Sequence, residues 1–118
     1  MTNGWNPITE GGAYASRLPL GWEYPEPNEA LSRLAELHRE LPSGHRLHGV
    51  RVETFAQRVG DDDTLFRHVD QADLYTVVHL TWLGREEIDV RHPMIDFEGT
   101  LTEFFAREER IIAGSAPG

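Results

Sequence analysis

The fold is decided by one stretch of sequence, Leu74-Tyr75-Thr76-Val77-Val78-His79-Leu80-Thr81-Trp82. The stretch is dense in β-branched and aromatic residues, which strands favour, so it predicts a β-strand. Successive side chains of a strand point to opposite faces of its sheet. One face of this strand therefore carries Leu74, Thr76, Val78, Leu80 and Trp82.

Two further strands are predicted before this one and a short strand after it. Alternation predicts strands over residues 47–59 and 64–69, and the acidic segments 60–63 and 70–73 predict the turns that follow them. After Gly84 the pattern breaks, and Pro93 restricts any later strand to the edge of a sheet, over Met94–Phe97. Short connections of this kind favour antiparallel pairing of neighbours.

Amphipathic helices are predicted on both sides of the strands. Apolar residues recur at three- and four-residue steps over residues 28–41, and Asn28 is placed to cap this first helix. A second helix follows Thr100, which forms a capping box with Glu103, and is expected to end near Gly114. The predicted fold class is therefore α+β: an antiparallel meander of three to four strands flanked by an N-terminal and a C-terminal helix, with both helices on one face.

The chain has 118 residues, a length that suits one domain. We expect a single α+β domain over residues 28–113 and a frayed tail over 114–118. Residues 1–27 are rich in Gly, Pro and aromatic residues, and they predict an extended arm packed on the domain through Leu18, Leu20 and Trp22. The alternative is an arm that binds a partner and becomes ordered only on contact with it.

The charge and composition restrict the class of function. The formal net charge is −9, and such a field repels nucleic acids and anionic membranes while attracting basic proteins. The chain has no cysteine, which excludes disulfides and thiol catalysis. No apolar run is long enough to span a bilayer, and Met1–Trp5 does not resemble the start of a secretory signal, so we expect a cytoplasmic protein.

Catalytic and metal-binding motifs are missing from the sequence. No serine lies in a Gly-x-Ser-x-Gly motif, and there is no phosphate-binding or dinucleotide-binding loop. His38, His45, His48 and the acids of residues 61–63 are possible metal ligands, but nothing in their spacing brings them together. We therefore expect no metal and no cofactor.

The candidate binding face is the side of the sheet away from Trp82. A four-residue loop between the second and third strands would place Val69 opposite Leu74, and hence His68 opposite Tyr75. If both helices cover the Trp82 face, the other face exposes His68, Tyr75, His79 and Thr81 to a partner, unless it is an ordinary solvated face. Arg58 interrupts the apolar alternation of its strand. It either extends its charged group to solvent at the strand end, which is the more frequent case, or pairs with an acid or receives an anionic ligand.

Three segments of the sequence resemble a family of small bacterial proteins of uncharacterised function. They are Gly44-His45-x-Leu47-x-Gly49, Asp62-Asp63-x-Leu65-Phe66 and Val77-Val78-His79-Leu80-Thr81-Trp82. The resemblance covers residues 44–105 and draws attention to His79, Trp82, Asp62 and Asp63, although it implies no activity for them. The chain departs from the family pattern at His92-Pro93, where the pattern has Trp-Pro.

The function expected from these observations is that of a non-enzymatic protein-binding module. Small size, acidity and an open sheet face suit an immunity-like or antitoxin-like protein that docks a basic partner by charge complementarity. One alternative is a small enzyme or ligand-binding domain with a pocket between the sheet and the N-terminal arm, around His79, Tyr75 and Arg58. Another is a structural subunit that homodimerises through the sheet face or its edge strand.

Overall fold

The computed structural model describes residues 18–115, which form five strands and two helices. In chain order they are β1 (Trp22–Glu23), α1 (Pro27–Glu40), β2 (Val52–Arg58), β3 (Asp63–His68), β4 (Tyr75–His79), β5 (Met94–Gly99) and α2 (Leu101–Ser115). The strands make one antiparallel sheet in the order β1-β2-β3-β4-β5. The predicted α+β meander between an N-terminal and a C-terminal helix is confirmed, with the short strand β1 added at one edge.

The two helices lie on opposite faces of the sheet, so the prediction that both share one face is wrong. Leu65 and Val77 pack with Phe104 of α2, whereas their neighbours Phe66 and Val78 pack with Leu37 of α1. Consecutive strand residues point to opposite faces, and here both are apolar and buried. A sheet that is apolar on both sides needs a cover on each side.

The predicted arm is only partly within the described residues. Positions 1–17 and 116–118 lie outside them. Trp22 is buried and Leu18 packs against the same apolar cluster, as expected for an arm laid on the domain, but Leu20 is exposed. At the other end, α2 ends at Ser115, one residue beyond the predicted end near Gly114, and the rest of the predicted tail lies outside the described residues.

Both helices begin at side-chain caps. The capping box of α2 is confirmed, since Thr100 Oγ1 accepts the Glu103 N–H at 3.1 Å and the Glu103 carboxylate accepts the Thr100 N–H at 2.8 Å. The prediction for α1 is wrong by two residues. Glu26, not Asn28, precedes the helix, and its N–H donates to the Glu29 carboxylate at 3.3 Å.

The strand pairing differs from the predicted register by one residue. Arg67 pairs with Tyr75 and Asp63 pairs with His79, so His68 does not lie opposite Tyr75. The turn between β3 and β4 contains one residue more than a four-residue loop allows, and Asp73 adopts a left-handed conformation in it (φ 53°). Because the side-chain period of a strand is two, this shift moves residues of β3 to the other face relative to β4.

Two strands are shorter than predicted. Residues 43–49 form turns, so β2 begins at Val52 and not at Leu47. β4 ends at His79, and Trp82 beyond it has a left-handed backbone (φ 57°) that no strand adopts. Neither helix of the described part combines the length and the apolar character needed to cross a membrane.

Candidate functional site

The predicted binding residues do not share one face. His68 lies on the α1 side, where it is buried and its Nε2 is 2.7 Å from Thr76 Oγ1. Burial lowers the pKa of this histidine. Tyr75 and His79 lie on the α2 side of β4, and Thr81 lies beyond the end of the strand. The predicted face is thus divided between two layers of the molecule.

Tyr75 is a core residue and not a surface ligand. Its side chain is buried, and its ring meets that of Phe55 edge to face at a centroid distance of 5.2 Å. Burial raises the pKa of Tyr75 to about 12, so the phenol stays neutral. Helix α2 covers the part of the sheet that the sequence-based interpretation left open to a partner.

His79 remains exposed and is held by acids. Its Nδ1 lies 2.8 Å from Oδ1 of Asp63 and 3.9 Å from Oδ1 of Asp61. The hydrogen bond with Asp63 raises the pKa of His79, and the nearby charges of Asp61 and Asp96 act in the same direction. A histidine oriented by a carboxylate can hold or transfer a proton at its second nitrogen.

Arg58 links this surface pair to the core. Its Nε donates to Oδ2 of Asp63 at 3.1 Å and its Nη2 approaches Oε2 of Glu108 at 3.5 Å. Glu108 is buried, and its Oε1 accepts the Trp22 indole N–H at 3.0 Å. The guanidinium also lies 4.7 Å above the Trp22 ring. Arg58 therefore pairs with acids of the chain itself, which was one of the three roles considered for it, and not the one that the sequence favoured.

The exposed cluster of Asp61, Asp63 and His79 brings three possible metal ligands together. The donor atoms of Asp61, Asp63 and His79 lie within 4.8 Å of one another. However, Asp63 already binds Arg58, and Asp61 Oδ1 accepts the Asp62 N–H at 2.5 Å. His45, another predicted ligand, is buried with Nε2 2.8 Å from Pro93 O and Nδ1 accepting the Leu47 N–H, so both its nitrogens are in use.

The feature that sequence reasoning missed is a pair of buried glutamates on α1 that holds the long loop between β4 and β5. This loop comprises residues 80–93, and we call it the 80–93 loop. Glu40 accepts the N–H groups of Thr81 and Trp82 at 3.0 and 2.6 Å, and Glu36 accepts the Gly84 N–H at 3.0 Å. We call Glu36 and Glu40 the carboxyl clamp.

The two carboxyl groups of the clamp are neighbours, since Glu36 and Glu40 lie four residues apart on α1 and both accept N–H groups of the 80–93 loop. A hydrogen bond between two carboxyl groups requires that one of them is protonated. Burial and the contact with Glu36 raise the pKa of Glu40 to about 7. Burial acts the same way on Glu36, but hydrogen bonds from Glu40, Gly84 and Arg39 outweigh it and lower the pKa of Glu36. The proton therefore resides mainly on Glu40.

The 80–93 loop exposes an unusual amount of apolar surface. Large apolar side chains on the loop and at the first residue of β5 are between 40% and 90% exposed: Trp82, Leu83, Ile88, Val90 and Met94. Acids accompany them on the loop, namely Glu86, Glu87 and Asp89. Thr81, one of the predicted binding residues, is used within the loop, since its hydroxyl donates to Glu87 at 2.6 Å. We call the exposed apolar side chains and these acids the loop surface.

The loop surface adjoins the cluster of Asp61, Asp63 and His79. Met94 pairs with His79 across β4 and β5, and the Leu80 N–H donates to Asp62 O at 3.3 Å. On the other side, Trp82 and Arg33 line a cavity of about 170 Å³, and Arg33 also donates to the backbone oxygen of Asp61. Trp82 and Met94 of the loop surface therefore lie at the same end of the molecule as the acids of residues 61–63.

A larger cavity lies at the other end of the sheet. It has a volume of about 510 Å³ and an apolar wall, and His38, His48 and Arg51 lie around it. Neither cavity is lined by His79, Tyr75 or Arg58, where the sequence-based alternative placed a pocket. Arg51 is occupied by an ion pair with Asp70.

Comparison of this chain with protein-family models, with curated proteins and with solved structures finds no match. The resemblance to a family of small bacterial proteins stays a prediction from the sequence.

Proposed function

We propose that this chain is a non-enzymatic protein-binding module, of the immunity-like or antitoxin-like kind, that docks a basic protein through the loop surface. The observation that carries the proposal is the carboxyl clamp: an exposed loop rich in apolar residues is fixed to α1 by three backbone hydrogen bonds to buried carboxyl groups. A fixed loop loses little conformational freedom on binding, and this favours affinity.

The composition of the loop surface suits a protein partner. Exposed contiguous apolar residues mark interaction sites, and tryptophan is among the side chains that contribute most to binding energy. Trp82 is 40% exposed and Ile88 is 90% exposed. A small-molecule site would enclose its ligand, whereas these side chains project from the surface.

The charge around the loop surface points to a basic partner. The acids Asp61, Asp62 and Asp63 lie at the same end of the sheet, and Asp96 follows two residues after Met94. The whole chain carries a net charge of −9. Such a field accelerates encounter with a positively charged protein and weakens as salt is added.

Capture of partners from a lysate of the protein's own cells tests the proposal. Three immobilised chains are compared: the unmodified protein, Trp82→Ala on the loop, and Ile112→Ala as an exposed apolar control on α2. We expect a basic protein to be retained by the first and the control, to be released by salt, and to be retained at least tenfold less by Trp82→Ala. Equal retention by all three chains, or retention of no basic protein, overturns the proposal.

A second candidate is the small enzyme or ligand-binding domain around His79. The hydrogen bond of 2.8 Å between His79 and Asp63 favours it, because a carboxylate-oriented histidine is the arrangement used for proton transfer. Tyr75 takes no part, since it is buried. If His79→Gln leaves retention of the partner unchanged but abolishes a chemical conversion of a bound ligand, this second candidate replaces the first.

A further inference from the structure

The carboxyl clamp has a property that a purely structural contact does not need. Glu36 and Glu40 are buried, with 1% and 0% of their surface exposed, and they lie four residues apart on the same helix, facing the same loop. Two neighbouring buried carboxylates repel each other, and a proton on one of them removes that repulsion.

We propose that the carboxyl clamp is a proton-operated latch: it holds the 80–93 loop closed while Glu36 and Glu40 share one proton, and it releases the loop when that proton is lost. The step is a simple ionisation, in which the carboxylic acid of Glu40 gives its proton to water and leaves two carboxylates facing each other. The latch regulates the loop surface, so its biological role rests on the proposed function, but its chemistry does not.

The surroundings of the pair decide where the proton resides. Arg39, on the same helix, donates to Glu36 at 2.9 Å and keeps that group ionised. On the loop, the Glu87 carboxylate accepts a hydrogen bond from the Thr81 hydroxyl. The backbone N–H of Glu87 donates to the backbone oxygen of Glu40 at 2.9 Å. From the sheet side the neighbours are apolar, with Leu37 of α1 packed against Val78 and Leu80. No cation therefore neutralises Glu40 among these contacts.

Proton linkage gives the direction in which loop opening depends on pH. In the closed state the pair holds one proton up to about pH 7, because the pKa of Glu40 is raised from 4.5 to about 7. In the open state both glutamates meet water and are ionised above their ordinary pKa. Opening thus releases one proton over this range, and the opening equilibrium rises about tenfold for each pH unit.

Amide hydrogen exchange of the intact protein measures this opening. We measure the protection factors of the Thr81, Trp82 and Gly84 amides at several pH values between 5.5 and 7. A protection factor already corrects for the intrinsic effect of pH on the exchange rate. We expect these factors to fall about tenfold per pH unit in the unmodified protein. In Glu40→Gln, whose neutral amide can still contact Glu36 and the loop, we expect no such slope.

Matched variants separate the latch from other titrating groups. Glu109→Gln, an exposed change on α2, and His79→Gln are expected to keep the slope of the unmodified protein. If Glu40→Gln does not fold, Glu40→Met, which also lacks a titrating carboxyl group, takes its place and is likewise expected to show no slope. A flat profile in the unmodified protein, or the same slope in Glu40→Gln, overturns the latch. Because exchange needs no partner, its outcome is independent of the capture experiment that tests the proposed function.

Discussion

Asp63 and His79 lie directly opposite each other on β3 and β4, with Oδ1 of the aspartate 2.8 Å from Nδ1 of the histidine. Through its second oxygen Asp63 also binds Arg58, which in turn reaches the buried Glu108. An ion-pair chain therefore runs from the exposed end of the sheet to the core beneath α2. It fixes the end of the molecule to which the loop surface belongs.

Replacing Asp63 with Asn lowers the pKa of His79, since the hydrogen bond to the Asp63 carboxylate is the main cause of its elevation. In the unmodified protein the ion pair stabilises the fold fully below the ordinary histidine pKa, and this contribution is lost as pH rises through the raised value. NMR titration of the His79 ring gives the midpoint in both proteins. The distant control Asp70→Asn is expected to leave the midpoint unchanged. An unchanged midpoint in Asp63→Asn would show that the pairing of Asp63 with His79 does not exist in solution.

Replacing Glu108 with Ala destabilises the fold by about 3 kcal/mol, because the change leaves Arg58 and the Trp22 indole N–H without their buried acceptor. Urea denaturation measures the difference in the free energy of unfolding. The neighbouring Glu109 is exposed and lies on the same helix, so Glu109→Ala controls for helix propensity and is expected to cost less than about 0.5 kcal/mol. Equal losses for the two variants would refute the buried role of Glu108.

Replacing Thr100 with Ala removes the cap of α2 and lowers stability by about 1 kcal/mol. The hydroxyl of Thr100 accepts the Glu103 N–H, whereas Asp73, the other side chain at this helix end, accepts a different N–H, that of Leu101. Thr102→Ala, within the first turn of the same helix and exposed, serves as the control. Thermal unfolding distinguishes them, and a Thr100→Ala protein as stable as the control would contradict the capping box.

The fold class was predictable from the sequence because it depends on local patterns. The strand at Leu74–Trp82 and the capping box at Thr100 and Glu103 each combine composition and spacing in a few residues, and the structure has β4 and α2 at these places. The arrangement of the helices was predictable too, but it was misread. The pairs Leu65-Phe66 and Val77-Val78 are apolar at consecutive positions, and this indicates a sheet buried on both faces.

The candidate site was harder to predict, since it depends on register and on long-range contacts. The turn before β4 contains a left-handed residue, Asp73, and β3 pairs with β4 one residue away from the predicted register, so His68 does not lie opposite Tyr75. Glu36 and Glu40 looked like ordinary polar residues of a helix, because their partners are backbone amides more than 40 residues away. Backbone amides leave no trace in side-chain patterns. One buried acid could be recognised from the sequence: Glu108 lies within the apolar stripe of α2, and this position predicts a buried partner for its carboxylate.

The central claim is that the loop surface docks a basic protein, and the dissociation constant of the captured partner tests it most directly. Ile88 on the loop and Ile112 on α2 are both exposed isoleucines, so Ile88→Ala and Ile112→Ala remove the same atoms from different surfaces. We predict that Ile88→Ala weakens binding about tenfold, which corresponds to about 1.4 kcal/mol, and that Ile112→Ala changes it less than about twofold. Equal effects of the two changes, or a loss confined to Ile112→Ala, would contradict the account.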